Sequence, residues 1–215
     1  MLTGIAVADI VYISFINRDF LFNMPAYYWS LLAIVPLAGF MYTFKILPVK
    51  KLRRIGWLKP FIIGFVWAGV VTIFPVLFWE IRHPNEVASG LATKSLLFLQ
   101  NFLFISCLAI IFDIRDEKID KHFLLKTYPA QFGRANTIRY AVLPLALLSL
   151  LSMVVYHFYA ERNYPSLIIQ LIPYLFLYLL MTRFTKEKNL LFYLAGIDGL
   201  MLLKAICGIV SVIIF

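Results

Sequence analysis

The sequence predicts an all-α, polytopic bundle of membrane helices, and three observations carry that prediction. Of 215 residues, 62% are hydrophobic and only 14% are charged, whereas a soluble domain carries about 25% charge. The apolar runs are long enough for membrane helices and lack the alternation of a barrel strand. The basic residues, which set a net charge of +9, gather in the short loops between those runs.

Seven apolar segments follow one another, at about residues 2–16, 27–44, 60–79, 95–112, 138–158, 165–182 and 190–213. The first is short for a hydrocarbon core of about 30 Å. It is interrupted by Asp9 and lacks the basic start and small-residue cleavage site of a secretory signal. Pro36, Pro75, Pro144 and Pro173 fall inside segments, where neighbouring helices re-satisfy the freed backbone groups and each proline becomes a kink. The 20 phenylalanines and 12 tyrosines suit lipid-facing and interfacial positions. Cys107 and Cys207 stand alone in apolar runs and read as small packing residues. No repeat, linker or second domain interrupts residues 1–215, so the chain reads as one domain.

The loops predict the orientation. Lys45, Lys50, Lys51, Arg53, Arg54 and Lys59 lie in one, and Arg115, Lys118, Lys121, Lys126, Arg134 and Arg139 in or just after the next but one. Arg183, Lys186 and Lys188 lie in a third, against only Arg18, Arg82, Lys94 and Arg162 in the alternate loops. The positive-inside rule then puts the three basic loops and the N-terminus in the cytoplasm and the C-terminus outside, as in a bacterial inner-membrane protein. Anionic headgroups account for the basic charge, and no nucleic-acid motif is present, so nucleic acid is not an expected partner while membrane lipids are.

The end of the fourth segment carries chemistry. Asp113, Asp116 and Asp120 follow the apolar run Leu103 to Phe112 and share one face if the helix continues through them. Carboxylates at the C-terminal end of a helix face the negative end of its dipole and attract cations. A magnesium ion bound to a phosphate or diphosphate suits such a row, because Mg²⁺ takes one or two protein carboxylates and fills its other positions with water and phosphate oxygens. The competing reading is a solvated linker in which Arg115, Lys118 and Lys121 neutralise the acids.

From Asp113 the chain reads DIRDEKIDKHFLLKTYPAQFG. This resembles the second aspartate-rich motif of the UbiA superfamily of intramembrane prenyltransferases, roughly D-I-R-D-x-x-x-D-R/K-x-x-G-x-x-T-L-P-x-x-x-G. Asp113, Ile114, Arg115, Asp116, Asp120, Lys121, Thr127, Pro129 and Gly133 fall at the family spacing, while Leu124 replaces a usual Gly and Tyr128 a usual Leu. Tyr42-Thr43-Phe44-Lys45, the basic run 50–54, and Lys59 through Gly64 to Trp67 are similar to the family's Y-S…K-R…K-x-x-x-x-G-x-x-W segment. The resemblance implies transfer of a polyprenyl group from a prenyl diphosphate to a lipophilic acceptor, usually an aromatic ring. It further implies that Asp116 and Asp120 hold Mg²⁺ on the diphosphate, with Asp113 as a third ligand or an orienting neighbour. Lys50, Lys51, Arg53, Lys121 and Lys126 are the implied candidates for the diphosphate oxygens. The family has nine helices and a first motif, N-D-x-x-D-x-x-x-D, whereas the only acids here before residue 80 are Asp9 and Asp19. The seven segments then correspond to the family's third to ninth helices, in a chain that starts late or has lost half of the metal site.

Asp198 and Lys204, inside the last apolar run, are functional candidates of another kind. Two further readings rest on these features. One is a non-catalytic, lipid-binding relative; the other is a small transporter or retinal-type protein using Asp198 and Lys204. Segment 60–79 offers no carboxylate counter-ion for the retinal reading.

Overall fold

A computed structural model of the chain describes residues 18, 26–43, 56–83, 90–183 and 189–214. Their secondary structure is helical throughout, with no strand among the described residues. In chain order the helices are α1 (Ala26–Thr43), α2 (Lys59–Ala68), α3 (Phe74–Arg82), α4 (Leu91–Arg115), α5 (Glu117–His122), α6 (Tyr128–Thr137), α7 (Leu143–Tyr159), α8 (Tyr164–Arg183) and α9 (Leu190–Ile213). Five helical spans are long and apolar enough to cross a membrane: Gly56–Glu80, Leu91–Arg115, Tyr128–Tyr159, Tyr164–Arg183 and Leu190–Ile213. A sixth apolar stretch, Tyr28–Phe40, lies in α1. The predicted segment at 2–16 lies outside the described residues.

Two of the predicted prolines explain the joints within spans. A proline inside a helix removes one hydrogen bond and crowds the carbonyl four residues back. Before Pro75 the chain widens into a π-helical turn, Gly69–Ile73, in which the Phe74 N–H bonds to the Gly69 carbonyl. Before Pro144 the same device recurs over Ile138–Val142, with the Leu143 N–H on the Ile138 carbonyl. The wider turn moves the crowded carbonyl away while the helix continues. Pro36 and Pro173 instead sit inside α1 and α8.

The core forms around α4. Phe104, Cys107, Leu108, Ile110, Ile111 and Ile114 are buried there against Val142, Met153, Leu177, Tyr193 and Leu200 from the surrounding helices. On the α2 side two glycines let the helices approach closely. A Cβ at Gly64 would lie 2.9 Å from the Phe102 carbonyl oxygen, and one at Gly69 would clash with the Val35 side chain in α1. Away from the core, Leu147, Leu151, Phe176, Leu202 and Ile209 are exposed, the outward apolar surface that lipid requires. Adjacent spans run antiparallel, so one end of the bundle carries the Lys59–Asp113 ion pair and the other the Lys94–Glu80 ion pair.

One expectation is corrected here. The aspartate row does not continue on a single helix: α4 ends at Arg115, Asp116 takes a turn conformation (φ −91°, ψ 6°), and α5 begins at Glu117. In that turn the Arg115 guanidinium beside it bonds both Asp116 carboxylate oxygens, at 2.7 and 2.8 Å.

Candidate functional site

Where α4 leaves the core, its last turn, α5 and the start of α6 fold into one polar cluster. Asp113 is 1% exposed, and its Oδ1 accepts from the Lys59 ammonium at 2.5 Å. That ion pair fastens the start of α2 to the end of α4. Arg115 lies over the Phe112 ring, 3.9 Å from its centroid, while bonding Asp116. The Asp120 N–H donates to the Asp116 carbonyl at 2.8 Å, so these two residues stand one helical turn apart. Asp120 is buried, and its Oδ2 accepts from the Thr127 hydroxyl at 2.9 Å. Thr127 stands at the N-terminal boundary of α6 yet makes no side-chain cap to that helix, because its hydroxyl serves Asp120.

Glu117 belongs to the cluster although its spacing sets it apart from the aspartates. It is buried and accepts from Lys121 at 2.7 Å and from Arg134 of α6 at 2.6 Å. Burial raises the pKa of its carboxyl, but the hydrogen bonds from Lys121 and Arg134 outweigh that and hold it below the ordinary carboxylate range. Lys121 is therefore tied to Glu117, while Lys126 is exposed at the head of the loop that enters α6. Gly56, where the described chain resumes, abuts that loop: a Cβ there would lie 2.7 Å from the Lys126 carbonyl carbon and the Thr127 nitrogen. Lys50, Lys51 and Arg53 lie outside the described residues.

The turn between α5 and α6 bends through a left-handed residue. Leu124 has φ 53° and is 88% exposed. A non-glycine residue in that region costs about 1–2 kcal/mol, partly offset by the extra unfolded-state freedom a glycine would bring. Leu124→Gly is thus expected to raise stability by about 0.5–1 kcal/mol, read as a higher midpoint in thermal unfolding of the purified protein. A lower midpoint would mean that the exposed leucine is anchored by something else, such as the lipid headgroups. Further along, Gly133 supplies φ 75° and breaks α6 internally.

Asp198 and Lys204 do not join this cluster, nor each other. Asp198 is exposed on the outer face of α9. Lys204 lies roughly 21 Å along α9 from its Leu190 end at 1.5 Å per residue, where it donates to the Tyr174 hydroxyl at 3.3 Å.

Asp116 and Asp120 are the two carboxylates of the cluster that could share a magnesium ion. Among the described residues no three histidine, cysteine or acidic side chains come together as a metal-holding set. Asp113 is engaged by Lys59 and both Asp116 oxygens by Arg115. Asp116 and Asp120 stand one turn apart and Asp120 has one carboxylate oxygen beyond the one Thr127 holds, so an ion on this pair would displace Arg115 from Asp116. Two carboxylates with phosphate and water oxygens complete an ordinary Mg²⁺ shell.

No protein-family model, no curated protein and no solved structure matches the chain. What defines it is its class, an α-helical bundle of apolar membrane-crossing length with a charged cluster at one end.

Proposed function

We propose that this chain is a UbiA-like prenyltransferase, moving a polyprenyl group from a prenyl diphosphate to a lipophilic, usually aromatic, acceptor within the membrane. The observation that supports the reading best is that its two family-like stretches, far apart in sequence, meet. Lys59 pairs with Asp113, and Gly56 packs on Lys126 and Thr127. The position at which the family usually has Gly, Leu124, keeps a glycine-like φ of 53°.

On this reading Asp116 and Asp120 hold Mg²⁺ against the diphosphate, and the metal would neutralise charge developing on the leaving group. Thr127 orients the Asp120 carboxylate. Lys59, by engaging Asp113, sets the end of α4 from which Asp116 projects. Lys126, together with Lys50, Lys51 and Arg53 from the preceding basic loop, supplies positive charge to the diphosphate oxygens, and Lys121 adds to it from its place beside Glu117. The apolar interior shelters the allylic cation from water. The excess of basic residues in these loops supports a cytoplasmic position for this end of the bundle, in a bacterial inner membrane with the N-terminus inside and the C-terminus outside.

A second reading, a non-catalytic lipid-diphosphate binder, is favoured by the protein partner that each of the three aspartates already has. Binding and turnover of prenyl diphosphates of several chain lengths, with and without Mg²⁺, separate the two. Asp116→Asn and Asp120→Asn are each expected to weaken Mg²⁺-dependent binding at least about tenfold, equivalent to ~1.4 kcal/mol. Binding that ignores both Mg²⁺ and these substitutions would remove the site. Binding without prenyl transfer to any aromatic acceptor would leave only the second reading.

A further inference from the structure

The middle of the bundle holds a cavity of about 590 Å³ that the aspartate cluster does not use. Its size falls within the roughly 300–1,000 Å³ of small-molecule sites. The walls are mostly apolar, with Leu97, Phe104, Ile105, Met153 and Met201 among them, and no acidic residue lines it. Its two basic residues are Lys204, deep along α9, and Arg162, in the short connection between α7 and α8 at the end of the bundle opposite the aspartates.

Most polar groups around this space satisfy one another. Asn101 donates to Thr72 at 2.9 Å, Gln170 donates to Ser211 at 3.0 Å, and Tyr174 meets Ser149 at 3.0 Å. Two do not. The Lys204 amine has three donors, of which the Tyr174 hydroxyl takes one. It stands 4.3 Å from the centroid of the Phe104 ring and 4.9 Å from that of Tyr174, contacts that favour the ammonium. No Asp or Glu among the described residues lies within ion-pair distance of it. Gln100, 4% exposed, has a carboxamide oxygen with no partner, and rotation of the amide can present either its acceptor or its donor end.

A membrane-embedded ammonium with no counter-ion is costly, and a ligand that brings one recovers that cost. We propose that this cavity binds a single-chain lipid carboxylate, a long-chain free fatty acid, with its head on Lys204 and Gln100 and its chain along the apolar wall. One amine matches one negative charge. Arg162 stands in the connection at the bundle end rather than beside Lys204, so a phosphate head on Lys204, with up to two charges, would leave one unmatched there. Arg162 at the rim draws the anion toward the cavity from the bundle end. The site stands apart from the aspartate cluster, so it holds or fails independently of the prenyltransferase reading.

The test uses the full chain in phosphatidylcholine nanodiscs and radiolabelled oleate. Saturable binding at one oleate per chain is expected, with methyl oleate, which has the same chain and no charge, at least tenfold weaker as a competitor. Lys204→Met is expected to lose at least tenfold in oleate affinity, and Lys204→Arg to keep most of it. The ester comparison is made on the unaltered protein and needs no variant to fold. The proposal is overturned if methyl oleate competes as well as oleate, or if Lys204→Met binds oleate like the parent. It is equally overturned if lysophosphatidate displaces oleate at a tenfold lower concentration, which would assign the site to a phosphate head.

Discussion

Lys59→Met is expected to destabilise the protein by about 3 kcal/mol, the lower end of the 3–5 kcal/mol lost when one partner of a buried ion pair is removed. The reason lies with the partner left behind. Asp113 is 1% exposed, and the Lys59 ammonium is paired with it at 2.5 Å. Without it the carboxylate must stay charged in an apolar surround or take up a proton, and either is unfavourable. Lys59 itself keeps 33% of its side-chain surface, so solvent moderates the pair and sets the loss at the low end. The double variant Lys59→Met, Asp113→Asn removes both charges and is expected to recover most of the loss, because the two residues act as one unit. Unfolding of the purified protein in detergent, followed for both single variants and the double, gives the coupling directly. If Lys59→Met unfolds like the parent, this ion pair does not fasten α2 to α4, and the meeting of the two family-like stretches loses its energetic content.

How much of this was legible in the sequence depends on whether a feature is local. The membrane spans are, because lipid imposes the same apolar composition along a whole helix. Six of the seven predicted segments coincide with described helices. Their ends are less so. The helix of the segment expected at 138–158 already starts after the break at Gly133, since Arg134 and Asn136 occupy helical turns that hydropathy does not register. The break at Asp116 was hidden for a related reason. No Gly or Pro marks it, and the residues around it suit a helix, so only the side-chain bonds from Arg115 distinguish a turn from a continued row. Glu117 shows the limit most clearly. Spacing along one helix sets it off the aspartate face, but its burial comes from Arg134, 17 residues further on. Lys204 was visible as an ionisable group in an apolar run; its surroundings, Phe104 from α4 and Tyr174 from α8, are set by packing between helices. The run of aspartates was visible in the sequence, while the ion pair that anchors its first member joins residues 54 apart.

Gly56→Val is expected to cost about 3 kcal/mol, the upper part of the range for overfilling a packed site, and to loosen the candidate site as it does so. A Cβ at Gly56 would stand 2.7 Å from the Lys126 carbonyl carbon and the Thr127 nitrogen, and 2.8 Å from the Lys126 oxygen. All three are backbone atoms, so no rotamer change relieves the clash and one chain segment must move. The segment against it is the one that presents Thr127 to Asp120 at 2.9 Å. Displacing it removes the bond that orients the Asp120 carboxylate, so binding of a prenyl diphosphate should fall along with stability. Thr127→Ala separates the two effects, since it deletes the hydroxyl without crowding Gly56 and should weaken diphosphate binding at a smaller cost in stability. Gly199→Ala is the control, because a Cβ there meets nothing within 4 Å and an alanine suits a helix better by about 1 kcal/mol. Unfolding midpoints and diphosphate titrations of the three variants decide the matter. If Gly56→Val matches the parent in both, the approach of this glycine to Lys126 and Thr127 does not hold the site, and the cluster must be positioned by the Lys59–Asp113 and Arg134–Glu117 ion pairs.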